Sequence, residues 1–171
     1  MTDVAYVSSS EYATYILKRD HTLWAVGSGD LGDGGVAAYY NPTPRKILEH
    51  VKTVSAHRSA TDGSFVHVIL GDDSLWGWGL NHYGVLGNGE TSNDYTHSSS
   101  LAHKATPVRI AGNVRMVVQS DTSVSSLGTD GSLSGWGLGG LYTLIGQTVN
   151  PMTSPTTLGL KAHRVAHTTA G

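Results

Sequence analysis

The sequence predicts an all-β chain of three four-stranded antiparallel blades followed by one extra C-terminal strand. The first observation behind this is a repeated stretch: GDDSLWGWGLNHYGVLGNG at residues 71–89 returns as RDHTLWAVGSGDLGDGG at 19–35 and as TDGSLSGWGLGGLYTLIGQ at 129–147. The second is composition, with 22 glycines in 171 residues, which favours many turns over long helices. The third is spacing: the stretch recurs about every fifty residues, the size of a four-stranded propeller blade.

Each blade is read in chain order. A valine pair opens it (Val4 and Val7, Val51 and Val54, Val114 and Val117) and marks a first strand. A second strand follows at residues 13–17, 65–70 and 123–127. Then come Asp20-His21, Asp72-Asp73 and Asp130-Gly131, which suit tight hairpins because Asp bonds its own turn and Gly tolerates positive φ. The third strand holds every tryptophan of the chain: Trp24, Trp76, Trp78 and Trp136. Period-2 alternation puts Leu23, Leu75 and Leu133 on one face and the tryptophans on the other. Trp78 and Trp136 are expected to be buried at equivalent places, with Gly77, Gly79, Gly135 and Gly137 leaving room for the rings and for close backbone approach, and with Gly27, Gly79 and Gly137 in the structural core of the repeat. A Gly-rich loop leads to a fourth strand, expected to start after Pro44, Pro107 and Pro155. The blades then span about 4–48, 51–111 and 114–158 of a single domain, 1–171, with a tail strand at 161–171 in which Val165 stands where Val54 stood.

Composition excludes several function classes. Charged residues are 14% of the chain, against roughly 25% in globular proteins, so disorder driven by charge is not expected. A net charge of −2 supplies no electrostatic footprint for nucleic acid. The absence of cysteine removes disulfides, thiolate nucleophiles and Cys-based zinc sites. The opening MTDVAYVSSSEYATY lacks the basic and apolar regions of a signal peptide, and no window has the length of a membrane span. The compartment stays undetermined. Because Met1 directly precedes the first blade, the N-terminus is expected to be intact.

No catalytic or metal constellation emerges. His163 and His167 have ligand spacing for a helix, but the local pattern reads as strand. His97 and His103 fall in a polar loop and are expected to be solvated. Asp30 and Asp33 sit in SGDLGDGG, which lacks the alternating ligands and distal Glu of a calcium loop and reads as turn chemistry. The glycines of GWGLGG precede no helix pattern that would present its N-terminus to a phosphate. Asp72 and Asp73 are adjacent and point apart, which suits a hairpin better than acid/base work. No Gly-x-Ser-x-Gly elbow occurs. The expectation is therefore no enzyme, no metal and no cofactor.

The stretch at 71–89, followed by TPVRI at 106–110 and NVRMV at 113–117, resembles the regulator of chromosome condensation (RCC1) type repeat, and the likeness covers nearly the whole chain in three copies. The resemblance implies an RCC1-like β-propeller, here a partial one. Departures are specific. Where the family has Gly and then His between the first two strands, this chain has Ser10 and Ala13, His57 and Phe65, and Ser120 and Ser123. Blade one replaces the second aromatic with Val26, and blade three replaces the first with Ser134.

Binding is expected in the loops. The stretch ETSNDYTHSSSLAHKA at 90–105, with Asn93, Asp94, Tyr95, His97 and His103, makes blade two longer than its neighbours. It reads either as a recognition loop or as an inert polar excursion. Tyr39 and Tyr40 offer amphipathic contact area or else pack on the adjacent blade. Three function classes follow. The first is a non-catalytic binding or assembly module with protein partners and self-association. The second is a surface or virion component that recognises glycan. The third, implied by the resemblance alone, is guanine-nucleotide exchange or chromatin docking. Closed propellers need about four to eight blades, so three blades predict a homo-oligomer, a closed dimer ahead of a filament, clasped by the tail through Val165 and His167.

Overall fold

The computed structural model describes residues 1–35, 41–59, 63–91, 103–138 and 151–165. These residues form three four-stranded antiparallel sheets with no helix among them. The first sheet is β1 (Val4–Ser9), β2 (Ala13–Lys18), β3 (Leu23–Gly27) and β4 (Asn41–Leu48), in that spatial order. The second is β5 (Val51–Ser59), β6 (Gly63–Leu70), β7 (Leu75–Leu80) and β8 (His103–Ala111). The third is β9 (Val114–Gln119), β10 (Ser123–Gly128), β11 (Ser132–Gly137) and β12 (Met152–Lys161). Strand β5 touches β1 and β2 on one side and β9 on the other, so the sheets stack as successive blades of an arc.

The fourth strands differ from expectation. They begin before their prolines, so that Pro42 and Pro44, Pro107 and Pro155 lie inside β4, β8 and β12. Each of these strands is the outer edge of its sheet, where the missing N–H of proline faces away from the ladder and costs no paired bond.

The three hairpins are built alike. Asp73 donates its N–H to Leu70 O (3.0 Å) and Leu70 donates to Ser74 O (2.9 Å), a tight turn closed by a residue with φ of 63°. His21 (φ 64°) and Gly131 (φ 83°) take the same left-handed place. The Asp before each of them accepts a backbone N–H two residues on, from Thr22 (3.0 Å), Ser74 (3.0 Å) and Ser132 (2.9 Å). In blades one and two the chain of bonds reaches the indole: Trp24 Nε1 donates to Thr22 Oγ1 (3.0 Å) and Trp76 Nε1 to Ser74 Oγ (2.9 Å).

Apolar alternation fills the seams between blades. Val66, Val68 and Trp78 of blade two pack with Tyr15, Leu17, Leu23 and Ala25 of blade one, and Trp76 packs against the rim of this cluster. The opposite face of blade two supplies Phe65, Ile69 and Leu75 to a second cluster with Val114, Val124 and Trp136 of blade three. Trp78 and Trp136 are each 0% exposed. Both lie under a glycine of the preceding loop: a Cβ at Gly32 would come to 2.9 Å from Trp78, and one at Gly87 to 2.7 Å from Trp136. Trp24 and Leu133 are half-buried, because they face outward from the two ends of the arc.

One backbone bond recurs at each junction. Val51 N–H donates to His21 O, Val114 N–H to Asp73 O and Ala162 N–H to Gly131 O, each at 2.9 Å. Ala162 thus enters where the opening residue of a next blade would enter. In the tail expected as a strand over 161–171, Lys161 ends β12, residues 162–165 follow without strand pairing, and 166–171, including His167, lie outside the described residues. Val165 is half-buried there.

Candidate functional site

A dense polar cluster lies on the loop side of blade two, between its contacts with blades one and three. It starts with Asn81, 0% exposed, immediately after β7. Its Oδ1 accepts the Leu86 N–H (3.0 Å), and its Nδ2 donates to Asn88 Oδ1 and to Glu90 O (both 3.0 Å), so one amide staples the whole Gly-rich turn. Asn88 Nδ2 in turn donates to Glu90 Oε2 (3.0 Å), and that carboxylate meets Lys104 at 2.6 Å. The Lys104 ammonium, helped by Asn88, holds the Glu90 carboxyl below its ordinary value.

Blade one docks onto this frame. Gly34 N–H donates to Ala105 O (3.0 Å), and Asp30 Oδ2 contacts His103 Nδ1 at 2.7 Å. Beside them Asp33 accepts the Gly35 N–H (2.9 Å) and pairs with Arg45. Burial alone raises the Asp33 carboxyl, but the Gly35 N–H and the Arg45 guanidinium together outweigh it and hold it low. The ends of the 90–105 stretch are therefore fixed, one by Lys104 and the other by blade one.

His103 is not in a solvated loop. It begins β8, and its hydrogen bond to the nearly buried Asp30 raises its pKa above the ordinary histidine value despite partial burial. The clamp is therefore full-strength below the unfolded value of about 6.5 and is lost as pH rises through the higher folded value. An NMR titration is expected to place His103 above 6.5, and Asp30→Asn to bring it back down. An unshifted His103 in the native protein would contradict the clamp.

Tyr39, Tyr40, Asn93, Asp94, Tyr95 and His97 lie outside the described residues. Asp72 and Asp73 do diverge: Asp72 caps Ser74, and Asp73 pairs with Lys52 at 2.6 Å. Among the described residues no group of three or more His, Asp or Glu is placed to hold a metal ion.

A second polar system crosses the seam between blades two and three. His67, 0% exposed, accepts the Gln119 Nε2–H at Nδ1 (2.7 Å) and faces Leu86 O through Nε2 at 3.4 Å. Gln119 Oε1 accepts the Ser55 hydroxyl at 2.6 Å. Burial pushes the imidazole pKa down to about 4, so the ring is neutral near neutral pH and carries its proton on Nε2. Neutral, it closes a satisfied network within an apolar seam.

Comparison with known proteins agrees with this geometry. Residues 72–123 match the family model described as "Regulator of chromosome condensation (RCC1) repeat". The E3 ubiquitin-protein ligase HERC2 of Homo sapiens and that of Mus musculus are each 28% identical over 138 residues, 80% of this chain. The chain spans 3% of the length of these proteins. Among solved structures, Prp20p from Saccharomyces cerevisiae, described with its binding properties to Gsp1p and histones, superposes with a TM-score of 0.72 at 17% identity, over 92% of this chain and 39% of that one. Human WBSCR16 gives 0.65 at 20% identity, over 91% and 38%. Yeast RCC1 (Prp20) bound by Kap60 gives 0.64 at 20% identity, over 91% and 37%. Residues 72–123 thus resemble an RCC1 repeat, set within an arc of three four-stranded blades whose fold is that of RCC1-like propellers.

Proposed function

We propose that the chain is a non-catalytic protein-binding module whose contact surface is the 90–105 loop and the polar frame beneath it. The observation that carries this reading is the fixed base of the loop, with Glu90–Lys104 at 2.6 Å and Asp30–His103 at 2.7 Å. Fixing the ends of a long polar stretch on a rigid scaffold lowers the ordering cost of binding through it. Replacing residues 92–101 with a short Gly-Ser linker is expected to leave the thermal midpoint nearly unchanged. The same change is expected to weaken binding to a protein partner at least tenfold, with Gsp1p and histones, the ligands of the yeast neighbour, as the first to be assayed. A glycan array run alongside tests carbohydrate recognition. Binding that survives the replacement would overturn the reading.

Self-association is the second reading. It is supported by exposed apolar residues gathered on blade one, with Val4 37%, Tyr6 55%, Val7 50% and Tyr12 57% exposed, and by Leu160, 50% exposed, at the other end of the arc. Deleting residues 161–171, with mass measured by light scattering, tests the tail as the clasp. A stable monomer of the intact chain at micromolar concentration would exclude the reading.

A further inference from the structure

We propose that the cleft between blades two and three on the outer side of β11 is a binding site for an indole, taken either as a small molecule or as a tryptophan side chain of a partner protein. The reasoning compares two places in the chain related by the repeat. Ladder registers make them equivalent: Trp76 faces Val68 on β6 and Arg109 on β8, whereas Ser134 faces Ser126 on β10 and Thr157 on β12. The preceding blade contributes Leu48 to the first place and Ala111 to the second, since Leu23 pairs Leu48 as Leu75 pairs Ala111.

At the first place an indole is present and packs against the core of the blade one–two seam. At the second, three side chains are smaller at once: Trp76 becomes Ser134, Val68 becomes Ser126 and Leu48 becomes Ala111. The outcome is a cleft of about 320 Å³ lined by Ala111, Ser126, Ser134 and Thr157, together with Asp130 and Ser132 of the turn. That volume is at the lower end of small-ligand pockets, roughly 300–1,000 Å³.

The polar groups that hold the indole N–H have not been lost with the ring. In blade two Trp76 Nε1 donates to Ser74 Oγ (2.9 Å), and Ser74 donates onward to Asp72 Oδ1. In blade three Asp130 and Ser132 keep these places: Asp130 accepts the Ser132 N–H at 2.9 Å, and the Ser132 hydroxyl beside it holds the Asp130 carboxyl low, as Ser74 does for Asp72. The Ser132 oxygen is thus set to receive an N–H from a ring in the cleft. A second feature points the same way. Ser126 lines the cleft and is only 4% exposed, so it puts a hydroxyl on a wall where its counterpart Val68 is apolar. A hydroxyl in the wall of a half-enclosed cleft suits the edge of a ligand better than a packed apolar core.

The test is a titration of the full chain with indole, followed by amide NMR. Shifts are expected at Ser126, Ser132 and Ser134, with a dissociation constant in the ~millimolar range set by the small size of the probe. 1-Methylindole, which lacks the N–H, is expected to bind about fivefold more weakly. Ser132→Ala should erase that preference while leaving the fold intact. Ser134→Trp should fill the cleft, abolish binding and raise the thermal midpoint. N-acetyltryptophanamide separates the two sources: binding at least equal to that of indole identifies a protein side chain, and exclusion identifies a small indole. No shifts at these amides up to about 10 mM indole, or equal binding of the two indoles by the wild-type chain, would overturn the proposal.

Discussion

Trp78→Ala is expected to lower the unfolding free energy by about 3–5 kcal/mol, which for a chain of this size moves the thermal midpoint by on the order of 10 °C. Trp78 is 0% exposed, lies edge-on to Tyr15 with ring centroids 5.8 Å apart, and fits against the backbone at Gly32. Removing a ring that buries roughly 200 Å² forfeits at most about 5 kcal/mol of burial and opens a void that the paired sheets cannot close. The comparison with Trp136 sharpens the test. Trp136 donates its N–H to Val85 O at 2.8 Å, while Trp78 Nε1, turned toward the Tyr15 hydroxyl, makes no well-formed hydrogen bond. Trp136→Phe should therefore cost about 1–3 kcal/mol more than Trp78→Phe, because it orphans a buried carbonyl. Urea denaturation of the three variants measures all of this. A loss below about 1 kcal/mol for Trp78→Ala would mean that the seam is not formed in solution.

The second large effect is at a residue with no side chain. Gly79→Ala is expected to destabilise by about 3 kcal/mol or more, the sum of overpacking and left-handed strain. Its φ is 97°, and an added Cβ would collide with Ser64 O and lie 3.0 Å from Phe65 Cα. Gly27 and Gly137 meet Tyr12 O and Thr122 O in the same way, so the close approach of the second and third strands is a feature of every blade. Gly29→Ala separates the two contributions. Its φ is 89°, yet nothing lies within 4 Å of the added carbon, so it should show the strain alone, about 1–2 kcal/mol. Equal losses at Gly29 and Gly79 would rule out the collision as a cause.

Much of this architecture is local, and local features can be read along the chain. The Asp of each turn bonds a backbone amide two residues away, and the alternation of Leu75 and Trp76 sends one to each seam because successive strand residues point to opposite faces. A repeat multiplies such signals, since each blade states them again. The fourth strands begin earlier than their prolines suggest, because proline reads as a breaker until its strand is known to be an edge.

The order of strands, the hairpins and the RCC1-like repeat were determined by the sequence on its own, through periods of two residues within strands and of about fifty between blades. Which distant residues meet was decided only by the stacking of the sheets. His103 and Asp30 are 73 positions apart, and Gln119 reaches His67 across 52. No spacing announces such pairs, because they depend on the rotation from one blade to the next. The same holds for the cleft at Ser134: as a letter it is a lost aromatic, and it becomes a space only where Ala111 and Ser126, from two other strands, fail to fill what the indole left.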